Sequence, residues 1–281
     1  MQLDKARVQR IIKAALKEDI GEGDITSVSI IPKLASVKAS IVAKEECVVC
    51  GIDIAEWVQS ACDYTVRFKP QVEDKDTVRK GKEIAFIEGR ARGILKAERT
   101  MLNFLSLLSG IATEAKKYAD KVKKYNVKIM DTRKTFPLLR YLEKYAVTVG
   151  EAYNHRMDLS EMVLVKDNHI RVHGTRDTVQ GIRKKVQKGM RIEIEVDDIK
   201  QFEEVLKERP DIIMLDNMSV SEVKKAVEMR KTEGMDKVAL EVSGGITLDN
   251  VEDYAKTGID TISVGALTDS VRGIDFSLNI I

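Results

Sequence analysis

From residue 127 to residue 268 the chain alternates short apolar runs with connections, most of them long enough to hold one helix. The runs are "VKIMD", "YAVTVG", "MVLVKD", "RIEIEV", "DIIMLD", "VALEVSGG" and "DTISVGA", separated by segments such as "DDIKQFEEVLKERP" and "SVSEVKKAVEMRKTEG". Repeated βα units dictate parallel strands, because each strand needs a crossover before its neighbour can form. Seven such runs predict a βα barrel, and a doubly wound sheet is the other fold with this alternation. The ends of the runs favour the barrel. They carry Asp131, Lys166-Asp167, Glu195, Asp216, Ser243-Gly244-Gly245 and Gly265, and a barrel gathers all its C-terminal strand ends into one mouth whereas an open sheet scatters them.

No such alternation precedes residue 110. "MQLDKARVQRIIKAALKEDIG" reads as an amphipathic helix, and "VKASIVAKEECVVC" and "KEIAFIEG" read as strands, which together predict an α+β domain. The stretch "GILKAERTMLNFLSLLSGIATEAKKYADKVKKY" has apolar residues at helical spacing, interrupted at Ser109-Gly110, and is expected to be the joint. The expected division is therefore an α+β domain over 1–110, joined by the C-terminal segment 269–281, and a barrel over 111–268.

Forty-seven Lys plus Arg against forty-five Asp plus Glu leave a net charge of +2, so neither nucleic acid nor an anionic membrane is an expected partner, and any anion site must be local. The N-terminal helix lacks the apolar core of a signal peptide, and no run approaches the roughly 20 apolar residues that span a bilayer. Three cysteines cannot all pair within one chain, which suits a reducing compartment, and a cytoplasmic location is expected. Cys47 and Cys50 form a CxxC without a second ligand pair for zinc. The segment reads as strand and turn, where Cys packs as a small apolar residue, with redox activity as the alternative.

Arg133 and Lys134 directly follow the first barrel strand, and Arg99, His155, Arg156, Lys166 and His169 lie in or beside strand ends or the linking helix. Arg binds carboxylate or phosphate through a planar fork and Lys supplies a compact charge, so the cluster calls for a polyanion. Glu195 and Asp216 end successive strands with no histidine or cysteine beside them. Two hard oxygen ligands suit Mg²⁺ shared with substrate phosphates, and an acid and base for hydrolysis are the alternative. The last two strands end in Ser243-Gly244-Gly245 and Val264-Gly265-Ala266, where glycine lets backbone N–H groups approach a phosphate.

The segments "KEDIGEGDITS", "ERTMLNFLSLLSGIAT", "DTRKTFPLLRYLEKYAV", "NHRMDLSEMVLVKDNHI", "EIEV", "IMLDN" and "LEVSGGI", in this order, resemble the quinolinate phosphoribosyltransferases, also called carboxylating nicotinate-nucleotide pyrophosphorylases. The resemblance covers nearly the whole chain. It implies an α/β fold, an incomplete seven-stranded βα barrel of the type II phosphoribosyltransferases with an N-terminal α+β sandwich domain. It also implies a homodimer in which that domain caps the partner's barrel. The implied reaction converts quinolinate and phosphoribosyl pyrophosphate to nicotinate mononucleotide, pyrophosphate and CO₂ in NAD biosynthesis, with Mg²⁺.

By the same resemblance, Arg133, Arg156 and Arg99 bind the two carboxylates, with Arg99 reaching across from the partner. Thr132, Lys134, His155 and Lys166 are further contacts, Glu195 and Asp216 are the acids near ribose and metal, and 243–245 with 264–266 hold phosphate. The catalytic set is Lys134, Lys166, Glu195 and Asp216. Two departures from the family pattern stand out, Leu138 in place of a glycine and Glu151 within a usual glycine cluster. The alternatives to this reading are the molybdenum-transport-associated relative, which lacks the "KDNH" present here at Lys166 to His169, a nicotinate-using transferase, and a non-catalytic phosphate-binding barrel.

Overall fold

The computed structural model describes residues 1–173 and 179–281. In chain order its elements begin with α1 (Lys5–Ile20), α2 (Ile25–Ile30), β1 (Ser36–Ala43), β2 (Cys47–Val48), α3 (Ile52–Cys62), β3 (Arg67–Pro70), β4 (Thr77–Val78), β5 (Glu83–Arg90) and α4 (Ala91–Val122). The middle of the chain forms β6 (Lys128–Met130), α5 (Arg140–Val149), β7 (Val163–Val165), α6 (Asp167–His173) and α7 (Val179–Lys185). Then come β8 (Ile192–Val196), α8 (Ile199–Lys207), β9 (Ile212–Asp216), α9 (Val220–Thr232), β10 (Ala239–Ser243), α10 (Val251–Ala255), β11 (Thr261–Ser263), α11 (Ala266–Asp269) and β12 (Phe276–Ile280).

The chain forms two compact units, one of Met1–Lys116, Thr135–Glu151 and Ser270–Ile281, the other of Lys117–Lys134 and Ala152–Asp269. In the first, an antiparallel sheet has the order β12-β1-β5-β3, and β1 buries Ala39, Ile41 and Ala43 on alternate positions. Helix α1 starts where Asp4 accepts the N–H groups of Ala6 and Arg7, and buries Val8, Ile12 and Leu16, one residue per turn. The C-terminal strand β12 belongs to this unit because it pairs with β1, Ala39 opposite Ile280.

Ser109-Gly110 does not break α4, which runs unbroken for 32 residues. A Cβ at Gly110 would sit 2.4 Å from the carbonyl oxygen of Arg272, so the glycine serves the passage of the C-terminal segment over the helix. Cys47 and Cys50 are buried and free. Burial raises the Cys47 thiol to about 12 and the Cys50 thiol well above its ordinary value, which disfavours the thiolate and fits the reading of both as small apolar packing residues.

The second unit is built on six parallel strands in the order β6-β11-β10-β9-β8-β7. The run "YAVTVG", expected as a seventh strand, is instead the end of α5 and its Gly150 cap. Its apolar residues continue a buried helical face that includes Leu142, Ala146 and Val149, and a short apolar run alone does not separate buried strand from buried helix. A single parallel bridge, Met130 with Tyr153, lies beside β6. Helices α8 and α9 begin on side-chain caps, Asp198 to the Gln201 N–H and a reciprocal Ser219–Glu222 pair, which brings the chain out of each strand end at a defined point. Among the described residues no helix is long and apolar enough to cross a membrane.

Candidate functional site

All five residues of β8, "IEIEV", are buried. Strands alternate faces, so Ile192, Ile194 and Val196 share one side and Glu193 and Glu195 the other. A parallel strand buried on both faces normally reads as apolar throughout, and two buried acids on one face mark a polar interior. The neighbouring strands continue it. Glu195 pairs in register with Met214, and Asp216 with Ser243, while Glu241 is two residues before Ser243 on β10 and Ser263 closes β11. Glu195, Met214, Asp216, Glu241, Ser243 and Ser263 line one cavity of about 690 Å³.

Thr132, Arg133, Lys134, His155, Arg156, Lys166, Gly244, Gly245, Gly265 and Ala266 line the same cavity. Val264 does not. It is buried, and its amide donates to the Met130 carbonyl within the sheet, so of the "VGA" segment only Gly265 and Ala266 face the space. Arg99 is in the first unit, exposed on α4, where it lines a recess of about 250 Å³ with Glu45 and Arg272.

The cations are held by backbone geometry close to them. The turn after β6 is pinned by the Lys134 N–H donating to Thr132 Oγ1 at 3.0 Å and by the Thr268 hydroxyl donating to the Lys134 carbonyl at 2.6 Å. Asp131 is fully buried and accepts the His155 N–H at 2.8 Å, so this strand-end acid fastens the 153–156 segment and is not a cavity group. Arg156 is only 7% exposed. Its Nη1 donates to the Met162 carbonyl at 3.0 Å, and its Nε is buried with no hydrogen-bond partner. Burial, and then the nearby Arg133 cation, lower its pKa from the ordinary arginine value. Among the described residues no carboxylate forms an ion pair with it.

The acids face the cations from the other strands. Lys166 donates to Glu195 Oε2, yet burial still raises the Glu195 pKa against that contact. Asp216 is also raised, first by burial, with Lys166 acting in the opposite direction. Carboxylates whose charge is under-compensated in this way are suited to a further cation. Among the glycines, Gly244 has the tightest requirement. It has φ +89°, and a Cβ there would lie 2.2 Å from Asn217 Oδ1, so only glycine fits between β9 and β10.

Both departures from the family pattern fall at left-handed backbone. Leu138 has φ 69° and Glu151 φ 65°. Leu138 is 90% exposed, and Glu151 forms a 3.0 Å ion pair with Lys116. The chain adopts the left-handed shape at both positions without glycine. Of the polar residues lining the cavity, Asn217, Glu241, Thr247, Ser263 and Asp269 are not singled out by the sequence reading, nor is the buried Glu193. The signal for the two glutamates was alternation inside "RIEIEV" and "VALEVSGG", where acids recur on the face that also bears Glu195 and Ser243.

A parallel βα unit whose strand ends bring arginines and lysines opposite two carboxylates, beside a glycine-lined recess, is suited to a phosphorylated, anionic substrate, as in a group-transfer enzyme. Comparison with known proteins makes this specific. The model of the quinolinate phosphoribosyl transferase C-terminal domain matches residues 111–279, and that of the N-terminal domain matches residues 24–109. The chain belongs to the quinolinate phosphoribosyltransferase family. It is 44% identical to a probable nicotinate-nucleotide pyrophosphorylase (carboxylating) of Methanocaldococcus jannaschii, over 97% of this chain and 96% of that protein. It is 40% identical to the Mycobacterium leprae nicotinate-nucleotide pyrophosphorylase (carboxylating), over 96% and 95%. The crystal structure of the Ehrlichia chaffeensis nicotinate-nucleotide pyrophosphorylase is similar across the full length of both chains, with a TM-score of 0.93 and 41% identity.

Proposed function

We propose that this protein transfers the phosphoribosyl group of phosphoribosyl pyrophosphate to quinolinate, releasing nicotinate mononucleotide, pyrophosphate and CO₂, a step of de novo NAD biosynthesis. Family membership supports the enzyme class, and one observation carries the acceptor. Arg156 is a buried guanidinium with an unpartnered Nε, beside a second arginine, in a cavity at the strand ends. A buried cation without a partner is costly, and a planar dianion with carboxylates on adjacent ring carbons satisfies both guanidinium groups.

Arg133, Arg156 and Lys134 hold the ring, and the Ser243–Gly245 turn with Gly265 and Ala266 takes the 5′-phosphate through backbone N–H groups. The pyridine nitrogen attacks the anomeric carbon as the bond to pyrophosphate breaks, and Glu195 and Asp216 offset the positive charge that develops on the sugar. The alkylated ring nitrogen then draws in the electron pair of the bond to the adjacent carboxylate, CO₂ departs, and the ring carbon takes up a proton. Lys166, held at Glu195, is placed to balance negative charge on the leaving pyrophosphate or on the departing carboxylate. Glu195 and Asp216 are the residues that would hold Mg²⁺, whose contribution when bound is to neutralise pyrophosphate oxygens.

The functional assembly in this reading is a homodimer, with Arg99 of one subunit completing the other's acceptor site; its exposure on α4 supports that role. Three free cysteines fit a cytoplasmic location. The test is CO₂ and pyrophosphate release with magnesium, phosphoribosyl pyrophosphate and either quinolinate or nicotinate. Turnover with quinolinate and none with nicotinate is expected, and turnover with nicotinate alone sinks the acceptor assignment. For the shared site, mixing inactive Arg99→Ala and Lys166→Ala variants should restore a measurable fraction of wild-type rate through mixed dimers that keep one complete site.

A further inference from the structure

His155 lies on the cavity floor with both ring nitrogens engaged by the protein. Nδ1 accepts the Arg156 N–H at 2.8 Å. Nε2 lies 3.0 Å from Glu193 Oε2 and 3.6 Å from Glu241 Oε1, and all three residues are buried. Glu241 Oε1 in turn accepts the Ser263 hydroxyl at 2.5 Å. The three ligand-type atoms of His155, Glu193 and Glu241 are all within 4.8 Å of one another, which is close enough for a metal ion. The hydrogen bonds decide against one. A ring nitrogen that accepts an N–H carries no proton, so the single proton of the neutral ring is on Nε2, the nitrogen that a metal would need bare. Binding a cation there would move the proton to Nδ1 and set it against the Arg156 N–H.

We propose that His155 acts on the transfer reaction as a positioning residue, held by Glu193 as the Nε2–H tautomer so that Nδ1 anchors the Arg156 main chain and fixes its guanidinium for the acceptor. The inference rests on the reading of Arg156 as an acceptor ligand, and it replaces a direct substrate contact by His155, which the resemblance implies. The anchor acts at both ends of one residue. Nδ1 holds the Arg156 amide, the Met162 carbonyl holds Nη1, and the Nε between them is left for the anion. Turning the imidazole out of this position would break the Nε2–Glu193 and Nδ1–Arg156 contacts.

The two amide variants of His155 separate the alternatives, because an Asn oxygen takes the place of Nδ1 and a Gln nitrogen takes the place of Nε2. His155→Asn keeps an acceptor for the Arg156 N–H and is expected to hold the KM for quinolinate within about threefold of wild type, whereas His155→Gln raises it about tenfold or more. The KM for phosphoribosyl pyrophosphate moves less than threefold in both, on the order of the scatter expected without a direct contact. The opposite ranking, or equal losses in the two variants, overturns the proposal. If both variants melt well below wild type, the ¹⁵N resonances of the wild-type ring at neutral pH decide: protonated Nε2 with bare Nδ1 supports it, and protonated Nδ1 overturns it. Failure of wild type to consume quinolinate is read out by the control assay and refutes the assigned reaction, while the tautomer is measured independently of turnover.

Discussion

Two pairs of carboxylates lie in the same strand layer and differ in how far they are buried. Glu195 and Asp216 end β8 and β9 at the rim, where Lys166 reaches Glu195 and both remain partly open to the cavity. Glu193 is one inward-facing position before Glu195 on β8 and Glu241 one before Ser243 on β10; they are 0% and 1% exposed, against His155 and Ser263. The residue types are the same and the chemistry is not. At the rim Lys166 reaches the carboxylates and offsets part of the cost of their burial. On the floor the same group loses its water, and it survives by sharing hydrogen bonds with an imidazole and a hydroxyl. Burial therefore separates the acids that Lys166 reaches from those that hold His155 and Ser263 in place.

The largest break in this contrast is expected from Lys166→Ala. It leaves Glu195 uncompensated and removes the cation placed for the leaving groups, and quinolinate-dependent CO₂ release should fall roughly 10³-fold with the melting temperature little changed. A variant with wild-type kcat would remove Lys166 from the mechanism. Asp216→Asn tests the metal half of the rim pair. It keeps a neutral oxygen ligand and the space, and turnover at fixed magnesium should fall by about 10- to 100-fold, with part of the loss recovered on raising the magnesium concentration. An effect independent of magnesium would assign Asp216 to the sugar alone.

How far the amino-acid sequence discloses this arrangement follows from the same geometry. The rim residues are legible because a strand end is where an apolar run stops, so Asp216 and the Ser243-Gly244-Gly245 turn announce themselves by position. Glu195 does too, one residue before its strand closes on Val196. Glu193 and Glu241 are embedded inside runs, and period-2 alternation there reads equally well as a half-exposed strand until the strand's two covered faces are known. The run at Tyr145–Gly150 failed for a related reason. Its Val-Thr-Val pattern has strand propensity, yet the segment continues a helix from Arg140 that is buried on most sides, and packing overrides a weak local preference. The same override appears at Leu138 and Glu151, whose left-handed backbone is imposed by the loop although neither side chain favours it. Val264 was included for its neighbour's sake; a backbone amide already committed to Met130 has nothing left to offer a phosphate.

The smallest effect, and the sharpest test of the floor pair, concerns Glu241. Burial, and then the neighbouring Glu193 charge, push its carboxyl up to about 7 against the attraction of His155. The ordinary value is 4.5, so the unfolded chain releases this proton while the folded protein still holds it. Stability from this group is complete below the ordinary carboxylate value, declines as pH rises toward about 7, and levels off above that. Glu241→Gln removes the titration while keeping a group that the Ser263 hydroxyl can donate to. Whatever fixed offset the amide brings, the variant's melting temperature should gain on wild type by about 2–4 °C between about pH 5 and about pH 8. The same comparison for Glu195→Gln should change less, because Lys166 opposes the rise at the rim. Equal pH dependence in the two variants would show that depth of burial does not set the protonation of these acids, and the distinction between rim and floor would fall with it.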